Sequence, residues 1–430
     1  MIGRLLDMLR SGAFLTRERL RLVPAALLLG YAVALVALFA TAHGALDYQG
    51  RPLGTDFSNV YAAGKAVLAG HPEAPFDPAL QYAKEQSLFG RATPFYGWHY
   101  PPYFLMITAP LARLPYLGGL ALWQLSTLAL YLVALRMLLR AGSGPDALKP
   151  WQWLLPALAF PAAFVNLTHG NNGFLTAALL ASGLATIEGR PAIAGILFGL
   201  LAYKPQFAMM IPIALVAGGY WRSLFSGIVT VALLSAAVTI LFGPEIWSAF
   251  LASTHFARTI VLEQGSTGFN KMQSVFAWTR LWGGSVALAY ILQGLMSIAA
   301  CAALALLWRG RTRFADKGAM LCLAVLLATP YALDYDLLAL APAILLLGLQ
   351  GLSRGFRPYE KSLLALLWAV PIVAREIAGA AHIPIGPIAL VAAGAFVAWH
   401  GWDGGLAGKW SEREDSNLRP PRPERGALPG

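Results

Sequence analysis

A long polar stretch, His43 to Tyr103, interrupts the apolar segments near the start of the chain. It carries Asp56 in the run Thr55-Asp56-Phe57-Ser58-Asn59-Val60-Tyr61, then Gly64-Lys65, Gly70-His71-Pro72 and Trp98-His99-Tyr100-Pro101-Pro102-Tyr103. Loops of such length without structure of their own are uncommon and usually functional. A carboxylate set among His and aromatic side chains makes Asp56 the candidate reacting group of a membrane enzyme.

The elements that must hold this group are apolar. Of 430 residues, 57% are hydrophobic and only 12% are charged, about half the charged share of a soluble domain. Apolar runs near the ~20 residues that cross a bilayer recur from end to end and give about twelve spans in one all-α polytopic domain. They are 22–42, 117–139, 151–167, 173–187, 192–202, 207–219, 224–242, 285–308, 318–329, 337–349, 363–378 and 387–402. Two of them, 192–202 and 207–219, are short and meet at Tyr203-Lys204-Pro205-Gln206, an expected break at the outer surface. The segment 100–114 is apolar but Pro-broken and is expected to be interfacial or re-entrant, and 59–68 to be a short surface helix.

The formal charge of +11 comes from short basic clusters between apolar runs, with no basic stripe. This suits positive-inside topology better than nucleic acid. Residues 1–21 are expected in the cytoplasm, followed by a signal anchor and a transmembrane domain over 22–402. Its loops 43–103 and 243–284 face outward, and a largely disordered cytoplasmic tail covers 403–430. From Ser411 onward nothing is apolar enough to fold. This topology suits a cytoplasmic (inner) membrane with both termini inside. Cys301 and Cys322 lie in separate apolar runs and read as packing residues.

The outward loops collect Asp56 and His99 early, Lys204 and Gln206 midway, Arg258, Lys271, Gln273 and Arg280 later, and Asp334 with Asp336 last. Polar groups drawn from distant parts of a membrane chain to one face imply a common cavity. No Walker A, G-x-S-x-G or H-E-x-x-H sequence occurs, so nucleotide-driven, serine-hydrolase and zincin chemistry lack support. Asp56 could instead cap a helix beginning near Phe57, and Asp334 and Asp336 could sit in a solvated loop or bind a metal or an acceptor. No residue is assigned to a metal.

Asp56-Phe57-x-x-x-Tyr61, Gly70 and Pro72, Tyr100-Pro101-Pro102, Pro110-Leu111-Ala112-x-Leu114-Pro115, Leu122-Trp123, Lys204-Pro205, Gln273-Ser274 and Pro330 before Tyr335 follow one another along the chain. In that order they resemble glycosyltransferase family 87, from about Arg21 to Trp402. The chain departs from the family's Gly-Gln-x-Asn at His169-Gly170-Asn171-Asn172-Gly173, where Asn171 takes the Gln position.

The resemblance implies a GT-C-like helical bundle and an inverting transfer of a sugar, mannose foremost, from polyprenyl phosphate to a lipid or glycan acceptor. It implies Asp56 as the base that takes the acceptor proton and Lys204, Arg280 and Arg258 as cations for the departing phosphate. Tyr61, His99, Tyr100, Asn171, Gln206, Gln273 and Asp334 are the sugar or acceptor contacts. It calls for no cofactor beyond the lipid-linked donor. The competing reading is a transporter or lipid flippase, against which stands the lack of a repeat or of a charge near the bilayer midplane.

Overall fold

The computed structural model describes residues 2–143 and 148–417, with the backbone alone for 402–417. The described chain is helical, with extended pairing limited to the isolated bridges His43–Leu46, Leu46–Pro52 and Met272–Leu333. The helices are α1 (Ile2–Ser11), α2 (Arg17–Ala40), α3 (Thr55–Leu68), α4 (Pro78–Phe89), α5 (Leu105–Leu111), α6 (Tyr116–Ser143), α7 (Pro150–Leu158), α8 (Pro161–His169), α9 (Gly173–Thr186) and α10 (Pro191–Gly199). They continue as α11 (Pro205–Ala208), α12 (Met210–Ala217), α13 (Trp221–Phe242), α14 (Glu245–Phe256), α15 (Val275–Leu281), α16 (Val286–Arg309), α17 (Phe314–Leu327), α18 (Leu340–Arg354), α19 (Glu360–Ala381) and α20 (Ile385–Asn417).

Among the described residues six helices are long and apolar enough to cross a bilayer: α2, α6, α13, α16, α18 extended back to Asp334, and α19. The protein is therefore an all-α membrane protein. Of the other expected spans, 173–187, 192–202, 207–219 and 387–402 fall on shorter apolar helices, and 318–329 lies within the 14-residue α17. The expected span 151–167 is divided into α7 and α8, because Pro161 cannot donate a helical hydrogen bond and instead occupies the first turn of a new helix. The break expected at 203–206 is present: Lys204 leaves helical geometry and Pro205 starts α11. The expected tail from Ser411 differs in that α20 continues to Asn417, while 418–430 lie outside the described residues.

Burial divides the helices into a centre and a rim. From Gly318 to Leu327, α17 is buried throughout, and α9 is nearly so. By contrast α2, α13 and α16 present Val33, Val36, Phe225, Leu233, Ile240, Ile291 and Ile298 outward, the faces a hydrocarbon solvent would cover. Close helix contact in lipid relies on small residues. Gly195 of α10 meets α13 so tightly that a Cβ there would lie 2.0 Å from the Ser223 carbonyl oxygen, and Gly199 abuts Gly227 and Thr230 one turn later.

The bundle has two chemically distinct ends. At one, α1 docks on the start of α19, where the Tyr359 amide donates to the Arg10 carbonyl and the Ser362 hydroxyl to that of Leu9. Arg357 there pairs with the buried Asp316. At the other end lie the close of α2, the start of α3, the turn at Asp334 and the last third of α19. The Arg-rich N-terminus and the basic loop 354–361 thus share one end, and the candidate site occupies the opposite one.

Candidate active site

Asp56 stands in the first turn of α3, a helix that Gly54 starts with a left-handed backbone (φ 67°). A side chain at Gly54 would also collide with Leu120, 2.8 Å away. The helix begins at Thr55 and has no side-chain cap, so the capping role that Asp56 could have filled is not the one it has. Its Oδ2 instead accepts a 2.8 Å hydrogen bond from Asn171 Nδ2. Among the described residues no other hydrogen bond reaches this half-buried carboxylate, which leaves Oδ1 without a partner. The α3 helix is not a surface helix as expected, because Phe57 to Gly64 are all buried against the body.

Asn171 is itself fixed. Its Oδ1 accepts from the Asn172 amide at 2.7 Å, so the amide nitrogen must face Asp56. The chain reaches this position through Gly170 (φ 66°), where a Cβ would lie 2.7 Å from Phe57 Cβ. The indole of Trp123 donates to the Gly170 carbonyl, and Gln124 donates to those of Asn166 and Leu167. Beside the pair, Thr55 Oγ1 and His169 Nδ1 are 2.7 Å apart.

The segment carrying His99 and Tyr100 lies close enough to feel the charge of Asp56. Burial pushes the His99 imidazole down to about 4 although the charge of Asp56 opposes it, so it is neutral at pH 7. Burial and the charges of Asp56 and Asp336 push the phenols of Tyr100 and Tyr331 upward, leaving both as hydrogen-bond donors. This segment is held from behind by Glu85 of α4, which is fully buried. Glu85 accepts from the amides of Tyr96 and Gly97 and from the side chain of Gln81, which also donates to the Asn59 carbonyl in α3. A polar relay therefore ties the helix of Asp56 to the segment of His99.

Burial pushes the Glu85 carboxyl up to about 7 against those donors. Because the folded value exceeds the ordinary 4.5, the contribution from proton binding is complete below pH 4.5 and is lost as pH rises through 7. Gln does not titrate, so the deficit in unfolding free energy of Glu85→Gln relative to wild type should narrow by up to about 3 kcal/mol between pH 4 and 8. Thermal melts across that range would show it, and a constant deficit would count against the shift.

Lys204 and the acidic turn meet in the interior. The Lys204 ammonium pairs with Asp336 Oδ1 and donates to Asn172 Oδ1 at 3.0 Å, with Lys204 5% and Asp336 2% exposed. Asp336 Oδ2 accepts from the Leu333 amide. Asp334 is buried too, and its Oδ2 lies 3.9 Å from Arg375 of α19. The turn 334–336 is thus not the solvated loop that its composition suggests. It is folded under the site by pairing of 272–274 with 330–333: the Gln273 amide donates to the Ala332 carbonyl and the Ser274 hydroxyl to that of Pro330.

The remaining expected contacts are placed otherwise. The Tyr61 hydroxyl donates to the Leu114 carbonyl within an aromatic cluster with Phe57 and Tyr116. Gln273 is buried, its side-chain amide donating to the Lys271 carbonyl. Arg280 donates to the carbonyls of Gly284 and Glu263, and Arg258, 60% exposed, lies 3.7 Å from Glu263. Gln206 is half-buried beyond Lys204, with no hydrogen-bond partner among the described residues. Sequence reasoning passed over Thr55, His169, Tyr331 and Glu85. It gave Arg375 no site role either, although an arginine within an apolar helix is itself a signal.

Segments from distant parts of a membrane chain thus converge near one carboxylate, whose charge reaches a neutral imidazole and two phenols. The fold makes this a polytopic α-helical membrane protein. A family model, Glycosyltransferase family 87, matches residues 98–330, more than half of the chain. The chain belongs to glycosyltransferase family 87, and its reaction class is glycosyl transfer. The matched stretch includes His99, Asn171 and Lys204 and begins after Asp56. No curated protein and no solved structure matches the chain.

Proposed function

We propose that the protein is an inverting transferase that moves a sugar, mannose by family resemblance, from a polyprenyl-phosphate donor to a lipid or glycan hydroxyl. The reaction takes place at the extracytoplasmic face, with the shorter apolar helices completing about twelve crossings. The observation that carries this reading is the asymmetry of Asp56: Asn171 engages one carboxylate oxygen, and the other, without a hydrogen-bond partner among the described residues, is left to take a proton. An acceptor hydroxyl delivers its proton to that oxygen while its own oxygen attacks the anomeric carbon. The anomeric carbon–oxygen bond breaks on the opposite face, its electron pair leaves on the lipid phosphate, and the configuration inverts. Neutral His99, Tyr100 and Tyr331 supply hydrogen bonds to sugar hydroxyls without competing for the proton.

Purified protein in lipid nanodiscs, given a polyprenyl-phosphate mannose and membrane glycolipid acceptors, should release one polyprenyl phosphate per α-mannoside formed, scored by mass spectrometry. Donor that crosses a vesicle membrane with no new glycosidic bond would favour transport instead. Turnover with a nucleotide sugar alone would overturn the choice of donor.

A further inference from the structure

Next to Asp56 lies a cavity of about 630 Å³ that none of the residues assigned to phosphate reaches. One wall is α2, through residues such as Leu38; another is α8, through Phe164 and His169; Thr55 and Gly54 form its inner edge. Tyr31 stacks on Phe164 at 4.1 Å to join α2 to the body, while Val33 and Val36 on the other side of α2 are exposed. A single helix therefore separates the cavity from hydrocarbon.

Its polar end holds two arginines and one carboxylate, Asp47. Arg51 and Arg375 line it, and Lys271 approaches from the loop before α15, where neighbouring Asn270 packs on α19 at Gly379. Arg51 pairs with Asp47 at 3.0 Å, and Arg375 reaches Asp334 only at 3.9 Å. Among the described residues no ion pair or hydrogen bond engages the Lys271 ammonium. Burial, and after it the charge of Arg375, holds Lys271 below the usual lysine range, with Asp334 and Asp56 opposing and Arg51 acting in the same direction. Cations that repel one another at the mouth of an apolar-walled cavity are matched by an amphiphile with an anionic head. The cations expected for this task are engaged elsewhere: Lys204 by Asp336, Arg280 by backbone carbonyls, Arg258 by Glu263.

We propose that this cavity seats the donor's lipid phosphate, its head among Arg51, Lys271 and Arg375 and its hydrocarbon leaving past Leu38 and Phe164 between α2 and the body. The proposal rests on the reading of Asp56 as base, since it places the leaving group beside Thr55. A double negative charge developing on the phosphate would be met by cations already in place.

Binding of farnesyl phosphate, which carries no sugar, separates the two ideas. With protein in nanodiscs, Lys271→Gln should weaken it about 10-fold, and Leu38→Trp, which fills the apolar wall without touching a charge, should weaken it comparably. Arg258→Gln and Asp56→Asn should leave it within twofold. Farnesol and inorganic phosphate should each bind far more weakly than the ester. Unchanged affinity in both Lys271→Gln and Leu38→Trp, with melting temperatures as wild type, would overturn the site, as would inorganic phosphate binding as well as the ester. Full turnover by Asp56→Asn would remove the base and leave this binding result standing.

Discussion

Asp56→Asn is expected to lower kcat by about 10²–10⁴-fold, the range a positioned general base supplies, with the KM for donor changed little. The substitution is close to isosteric and keeps an oxygen to accept from Asn171 Nδ2, so the turn at Gly54 and the packing of Phe57 on Gly170 are unaffected. What is lost is the ability to take the acceptor proton, which matters in the transition state and not in the ground state. An interaction of that kind depresses kcat and kcat/KM together. Initial rates at saturating donor, with a melting temperature to establish folding, measure it. Full turnover from the Asn variant would exclude Asp56 as the base. Asn171→Ala should show a smaller loss of the same kind, since it frees the carboxylate to rotate but leaves the base itself in place.

The reach of the sequence is uneven for physical reasons. Asp56 and Asn171 were both nominated, and they meet across 115 positions, because each sits where an apolar helix begins or ends and polar groups at helix ends share a level. Composition also located the break at Lys204-Pro205, since proline cannot continue a helix. It misjudged the environments of Lys204, Asp334 and Asp336. An acidic tripeptide after a proline reads as solvated loop, and only the pairing of 272–274 with 330–333 turns it inward. The burial of α3 was hidden for a similar reason: its wall is built mainly by α5 and α4, and no local pattern announces a docking partner. Glu85 had no signal of its own, because the amides it accepts from belong to a segment without regular structure.

The pair formed by Lys204 and Asp336 has the larger consequence for stability. Both side chains are almost wholly withdrawn from solvent, and removing one partner of such a pair leaves an uncompensated buried charge. Lys204→Met is therefore expected to destabilise the protein by about 3–5 kcal/mol. Asn172 Oδ1 loses a donor in the same variant. Neutralising the survivor should reverse most of this: in Lys204→Met/Asp336→Asn the residue at 336 can still accept from the Leu333 amide while carrying no charge. Melting temperatures of the two variants decide between this role and the donor-phosphate role expected from the sequence. A lysine reserved for phosphate would, when replaced, raise the KM for donor at unchanged stability, and the second substitution would bring no recovery. A lysine that holds the acidic turn beneath the site would lower the melting temperature, and Asp336→Asn would restore it.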